Sequence, residues 1–157
     1  MEPDPENTCH CSSETPVILQ GPRPVSPLNC MQCKKPVSPA SLDDAELSVG
    51  LTSTINKWEQ LYSALFTLWH DSVEYREWAK QQLLDETGSI NLAGLQLAQQ
   101  CNVKRKTYYW LFQDCSDKDY VEPQECPYCG ASMEPILEND FKVCHDCMIA
   151  YPDKQTG

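Results

Sequence analysis

Between residues 54 and 112 the apolar positions of this chain follow a helical spacing and then abandon it. Ile55, Trp58, Leu61, Tyr62, Leu65, Leu68 and Trp69 recur at intervals of three and four, which predicts a helix over residues 54–69 with a broad apolar stripe. Ser53 or Thr54 is its predicted N-cap. Asp71 or Ser72 is placed to cap a second helix over residues 73–85, with Glu74 favoured by the dipole of its first turn and Tyr75, Trp78, Ala79 and Leu83 along one side. The sequence DETGS interrupts the pattern, and Asn91 is the predicted cap of a third helix over residues 92–101 with Leu95 and Ala98 inward. In TYYWLF (residues 107–112) the period disappears. Its run of consecutive apolar and aromatic residues predicts a strand covered on both faces.

Outside this stretch the patterning is weak. Residues 1–8 are acidic and proline-rich and read as a flexible lead-in. Pro16, Gly21, Pro22, Pro24 and Pro27 surround one apolar run, Val17 to Leu19, which predicts loops with an edge strand. Residues 34–53, rich in proline, serine and acid, read as a linker. Residues 131–137 and 141–143 suit two short strands around a turn at Glu138, Asn139 and Asp140. The expected division is a lead-in (1–8), an N-terminal cysteine-rich knuckle (9–40), a helical core with the aromatic strand (54–120) and a C-terminal ribbon (121–151).

The cysteines decide what holds the poorly patterned ends. Cys126 and Cys129 (CPYCG) and Cys144 and Cys147 (CHDC) form two C-x-x-C pairs separated by fourteen residues. Each such turn folds two thiolates toward one point, and two turns joined by a hairpin make a closed four-sulfur cage with Zn–S bonds of about 2.3 Å. Pro127 and Gly130 suit a tight first turn, since proline presets φ and glycine tolerates φ > 0. A second site is expected from Cys9, Cys11, Cys30 and Cys33, although its C-x-C half must fold two ligands around a single spacer. His10 and His145 could each replace a cysteine, and the expectation is that both are surface residues. Cys101 and Cys115 remain as buried thiols. Two structural Zn²⁺ ions per chain follow.

Composition narrows the class. The N-terminus has neither a basic segment nor an apolar core of a secretory signal, so ten cysteines point to metal in a reducing, cytoplasmic setting rather than to disulfides. No apolar run suggests a membrane span. The formal net charge of −11 becomes more negative still when eight thiolates hold two Zn²⁺, a field that opposes indiscriminate binding to phosphate backbones. One basic cluster, Lys104, Arg105 and Lys106, precedes the aromatic strand. Cations beside rings are what a single-strand nucleic-acid binder uses, although a solvated turn before a core strand accounts for the same residues. Lys34 and Lys35 extend that face only if the N-terminal knuckle folds back near residue 104. His70 and Asp71 could orient a general base in a hydrolase-type site, against the simpler reading of a helix-end histidine and a capping aspartate.

The motif order matches a known pattern: C-x-C, SPLNCMQC (26–33), a Trp/Tyr helix, EYREWAKQQL, GSINLAG (88–94), TYYWLF, CPYCG and DFKVCHDC (140–147). It resembles an uncharacterised family of bacterial proteins described as zinc-ribbon-containing, whose nucleic-acid-binding label comes from the ribbon. The resemblance spans Cys9 to Cys147 and implies the metal sites and the architecture but no activity. Family members commonly carry a longer region ahead of the C-x-C and a hydrophobic strand after the last knuckle, where this chain has MIAYPDKQTG. The expected architecture is a small mixed α/β protein with three central helices on one or two strands and a four-cysteine zinc site at each end. The expected role is a non-enzymatic interaction module for a protein partner, with nucleic-acid binding as the alternative and no membrane contact.

Overall fold

The computed structural model describes residues 9–12, 14–22, 26–38, 50–114, 116–121, 123–136 and 141–152. The chain is mixed α/β, with strands β1 (Val17–Leu19) and β2 (Leu28–Cys30), helices α1 (Leu51–Asp71), α2 (Arg76–Leu84) and α3 (Ser89–Cys101), then strands β3 (Thr107–Trp110), β4 (Glu134–Ile136), β5 (Phe141–Cys144) and β6 (Ile149–Pro152). The one or two strands expected from the sequence are replaced by a six-stranded sheet in the order β2-β1-β3-β6-β5-β4. The runs at 17–19, 107–112, 131–137 and 141–143 anticipate four of these strands, whereas β2 and β6 carry too few alternations to register in a hydropathy pattern. β1, read as an edge strand, is interior: it pairs antiparallel with β2 and parallel with β3. On the other side β3 pairs parallel with β6, which is itself antiparallel to β5. The last of these strands, IAYP, stands where the sequence was read as a quick end, and its Ile149, Ala150 and Tyr151 are all buried.

Helices cover one face of the sheet. α1 turns Leu51, Ile55, Trp58 and Tyr62 inward, and α3 does the same with Ile90, Asn91, Gly94, Leu97, Ala98 and Cys101. The fully buried Tyr109 of β3 meets both helices. Its ring stands edge-on to Trp58 at 5.9 Å, and its hydroxyl donates to Asn91 Oδ1 at 2.7 Å. Asn91 is therefore a buried joint within α3 and not the N-cap expected of it; its amide also donates to the carbonyls of Leu83 and Asp85, both at 2.8 Å. A buried amide needs all these partners, since each unmet polar group costs about 1–3 kcal/mol. Gly88 holds the N-cap position of α3. Likewise α1 begins earlier than predicted, after Gly50 at φ 89°, and Ser53 and Thr54 lie inside it. Ser72 caps the turn ahead of α2, its hydroxyl accepting from the Tyr75 N–H at 3.0 Å, while Tyr75 itself occupies the N-cap position.

The opposite face is closed by shorter pieces. Ile18, Tyr108, Val143, Ala150 and Phe141 form a second apolar cluster, and Met31, Met148 and Trp110 pack with it. Met31 and Met148 belong to turns that also carry cysteines. The same turns that gather the sulfurs thus cover the sheet, and the Lys34 ammonium lies 4.2 Å from the centre of the Phe141 ring. Among the described residues, no helix is long and apolar enough to cross a membrane.

Candidate metal centres

Cys9, Cys11, Cys30 and Cys33 converge in one group, and Cys126, Cys129, Cys144 and Cys147 in another; within each, the sulfurs lie within 4.8 Å of one another. Among the described residues no cysteine is in a disulfide. Three of the four turns share one backbone device. The residue after the second cysteine of each C-x-x-C takes a left-handed conformation, at Lys34 (φ 65°), Gly130 (φ 78°) and Met148 (φ 58°). Its N–H donates to the carbonyl of the first cysteine, with N···O distances of 2.9, 2.8 and 2.9 Å. This closure aims the next N–H groups at sulfur: Cys33 to Cys30 Sγ at 3.5 Å, Tyr128 to Cys126 Sγ at 3.4 Å and Cys147 to Cys144 Sγ at 3.4 Å. The C-x-C half has only the Cys11 N–H on Cys9 Sγ, at 3.4 Å. Glycine at position 130 fits the left-handed requirement; lysine and methionine at the other two gave no sign of it in the sequence.

Thiols in such a group resist ionising together. Desolvation and the neighbouring sulfurs push Cys11 up to about 12, and the same causes raise Cys33, Cys126 and Cys147. The Ala131 N–H leads the groups that lower Cys129. Burial opposes ionisation of Cys9 too, but the Arg105 guanidinium, together with the Cys11 N–H and the Cys30 and Cys33 thiols, overcomes it and brings that thiol down to about 6. Four sulfurs that repel one another's charge, yet are gathered within 4.8 Å of one another, fit a divalent metal ion.

Arg105 has a role at the metal group that sequence reasoning missed. Its Nε donates to the Thr15 carbonyl at 2.7 Å, and its Nη2 approaches Cys9 Sγ at 3.6 Å and Cys30 Sγ at 3.9 Å. The basic cluster therefore does meet the N-terminal knuckle, but through a guanidinium turned onto sulfur. Lys106 is exposed, with its ammonium 5.6 Å from the Tyr108 ring centre, and Lys104 is exposed nearby. No local signal in KRK separates the middle residue from its neighbours.

Neither histidine stands in for a cysteine. His10 is exposed and outside the sulfur group. His145 turns its ring away from the neighbouring sulfurs, with Nδ1 2.8 Å from the Tyr108 hydroxyl and Nε2 3.1 Å from Glu134 Oε2. His70 and Asp71 contact each other at 2.8 Å on the exposed end of α1, where Arg76 donates to the Trp69 and His70 carbonyls. Cys101 is buried in the core, and Cys115 lies outside the described residues. The chain matches no protein-family model, no curated protein and no solved structure. The resemblance stated above rests on motif order alone.

Proposed function

We propose that this chain is a non-enzymatic interaction module whose two four-cysteine groups each hold a structural Zn²⁺. The donor sets carry this reading. Four thiolates complete the tetrahedral shell of zinc, leaving no position for the water or substrate that a catalytic zinc keeps. The docking surface is the turn between α1 and α2. Tyr75 and Trp78 are 51% and 52% exposed, and Val73 is 88% exposed. Only Ala79 and Leu83 of α2 are buried, because the helix meets the core along a narrow strip. Asp71, Glu74 and Glu77 are exposed within the same short segment. Aromatic rings among carboxylates on an acidic protein suit a basic protein partner.

The nucleic-acid alternative is weakened by the engagement of Arg105 with sulfur and of Lys106 with a ring. Metal analysis of protein purified without added metal is expected to give two zinc ions per chain, with the Cys101 thiol titratable only after denaturation. A content near zero overturns the zinc reading. Binding to lysine- and arginine-rich peptides is expected to fall with salt and with Trp78→Ser; oligonucleotide binding at low salt, lost in a Lys104→Glu/Lys106→Glu variant, refutes the choice of partner.

A further inference from the structure

The two sulfur groups differ in what surrounds them. The N-terminal group has a cation against it, and the Arg105 guanidinium reaches two of its four sulfurs while its Nε ties the Thr15 carbonyl ahead of β1. None of its cysteines is exposed. The C-terminal group is bonded by main-chain N–H groups, and among the described residues no guanidinium touches it: Arg76 is at the end of α1. It also contains the one exposed cysteine among those described, Cys129, whose Sγ lies 3.6 Å from Cys144 Sγ.

A zinc tetrathiolate carries a formal charge of −2, concentrated on sulfur. Each charge-assisted hydrogen bond to sulfur draws off electron density, which lowers the nucleophilicity of that thiolate and strengthens retention of the ion. A guanidinium on two sulfurs does this at one centre only. We propose that the two centres are unequal by construction: Arg105 makes the N-terminal centre an inert staple, while the C-terminal centre is a zinc switch that opens to a peroxide through Cys129. This rests on the zinc reading above.

The step balances as follows. The Cys129 thiolate attacks a peroxide oxygen, the O–O bond breaks, and a sulfenic acid and hydroxide form. The Cys144 thiolate then displaces the second hydroxide, giving a Cys129–Cys144 disulfide. Two sulfurs lose two electrons in total, the peroxide gains them, and the ion leaves a site with only two thiolates. The consequence is local to one side of the fold. Cys144 ends β5, and the first turn of this centre docks on the helical layer through the Tyr128 hydroxyl, which donates to the Glu86 carbonyl at 2.9 Å. Release frees the β4–β5 edge and that dock while β1 and β2 stay pinned.

The test uses the full zinc-loaded chain exposed to hydrogen peroxide. A chromogenic chelator follows zinc release, and differential alkylation with peptide mass mapping reports each cysteine. One zinc is expected to leave first, with Cys129 and Cys144 protected as a disulfide. Cys9, Cys11, Cys30 and Cys33 are expected to react about 10–100-fold more slowly, the span typical of a partner bonded to a ligand. Arg105→Gln should raise the N-terminal rate toward the C-terminal one and leave the latter unchanged, with Arg105→Lys between them. Far-UV circular dichroism of each variant before oxidation separates this from loss of the N-terminal hairpin; if Arg105→Gln fails to fold, the wild-type ratio and the lysine variant decide. Equal loss of both ions, N-terminal loss first, or an unchanged ratio in the Arg105 variants overturns the inference while leaving two-zinc binding intact. A chain that binds no zinc instead removes the reading beneath it.

Discussion

Gly94 is a point of close approach between the helical layer and the sheet that joins both centres, and adding one methyl there tests how rigid that contact is. A Cβ at this position would lie 2.2 Å from Tyr109 Cε1, 2.6 Å from Cζ and 2.8 Å from the hydroxyl oxygen. Tyr109 has no room to move, being fully buried, edge-on to Trp58 and bonded to Asn91. Overpacking of this kind costs about 1–3 kcal/mol. Displacing the ring also breaks the bond to Asn91, leaving buried polar groups unmet at about 1–3 kcal/mol. Alanine's better helix propensity returns about 1 kcal/mol. Gly94→Ala is therefore expected to destabilise by about 1–5 kcal/mol, or about 2–20 °C in Tm for a chain of this size. Urea unfolding of zinc-loaded protein, followed by tryptophan fluorescence, measures it. Tyr109→Leu removes the three atoms nearest the added methyl, so in that background Gly94→Ala should become neutral or stabilising. A Gly94→Ala protein as stable as the parent would refute the rigidity of the α3–β3 contact.

Other expectations follow from single features. Gly130→Val forces a branched residue into a left-handed turn, costing about 1–2 kcal/mol and accelerating chelator removal of the C-terminal ion; competition with a chelator of known affinity reads this. Lys80 donates to Asp114 at 2.9 Å and Asp117 at 2.8 Å, pinning α2 to the segment after β3. Burial opposes ionisation of Asp114, but Ser116 and Lys80 hold its carboxyl below the usual range; Lys80 is the leading cause of the same shift at Asp117. Because the folded values lie below the unfolded ones, this contribution is complete above about pH 4 and is lost as pH falls through the folded values. The stability difference between wild type and Lys80→Met should therefore shrink on acidification below pH 4, as urea unfolding across that range would show. Removing both ions with a strong chelator should loosen the terminal hairpins and leave α1–α3 helical, visible as a small loss of far-UV ellipticity with a large gain in titratable thiols.

The three helices were legible because their apolar residues repeat often enough to outweigh local noise; their ends were not. Caps were assigned to Thr54 and Asn91 by residue type, whereas the chain uses Gly50 and Gly88 and places Asn91 where a tyrosine hydroxyl needs an acceptor. Periodicity grouped Trp78 with Ala79 and Leu83 along one side of the second helix, but a nine-residue helix resting on Ala79 and Leu83 has no second row to bury. The eight converging cysteines were legible from spacing, since thiols two and three residues apart can hardly avoid one another. The role of Arg105 was not legible. Its partners lie 75, 90 and 96 residues away, and the pairing of β1 with β3 brings them to it.

That pairing also explains why the metal groups sit where they do. β3 is bonded on both sides by strands running parallel to it, and neither is joined to it by a tight turn. Parallel partners must be brought in from a distance, at the entropic cost of closing long loops, and three- or four-residue strands offer few hydrogen bonds in return. Each outer hairpin reduces this cost if it is already formed before it docks. The N-terminal sulfur group holds β1 and β2 in register; the C-terminal group fixes the turns on either side of β4 and β5 and leads directly into β6. The two hairpins then share the cover of one sheet face, through Met31 and Lys34 on one side and Phe141 and Met148 on the other. A centre that can let go of its ion therefore does more than free a loop. It loosens the β4–β5 edge from a face in which Tyr108 is buried and Trp110 partly buried, so peroxide opening of the C-terminal centre would be accompanied by a rise in the exposure of those two aromatic rings.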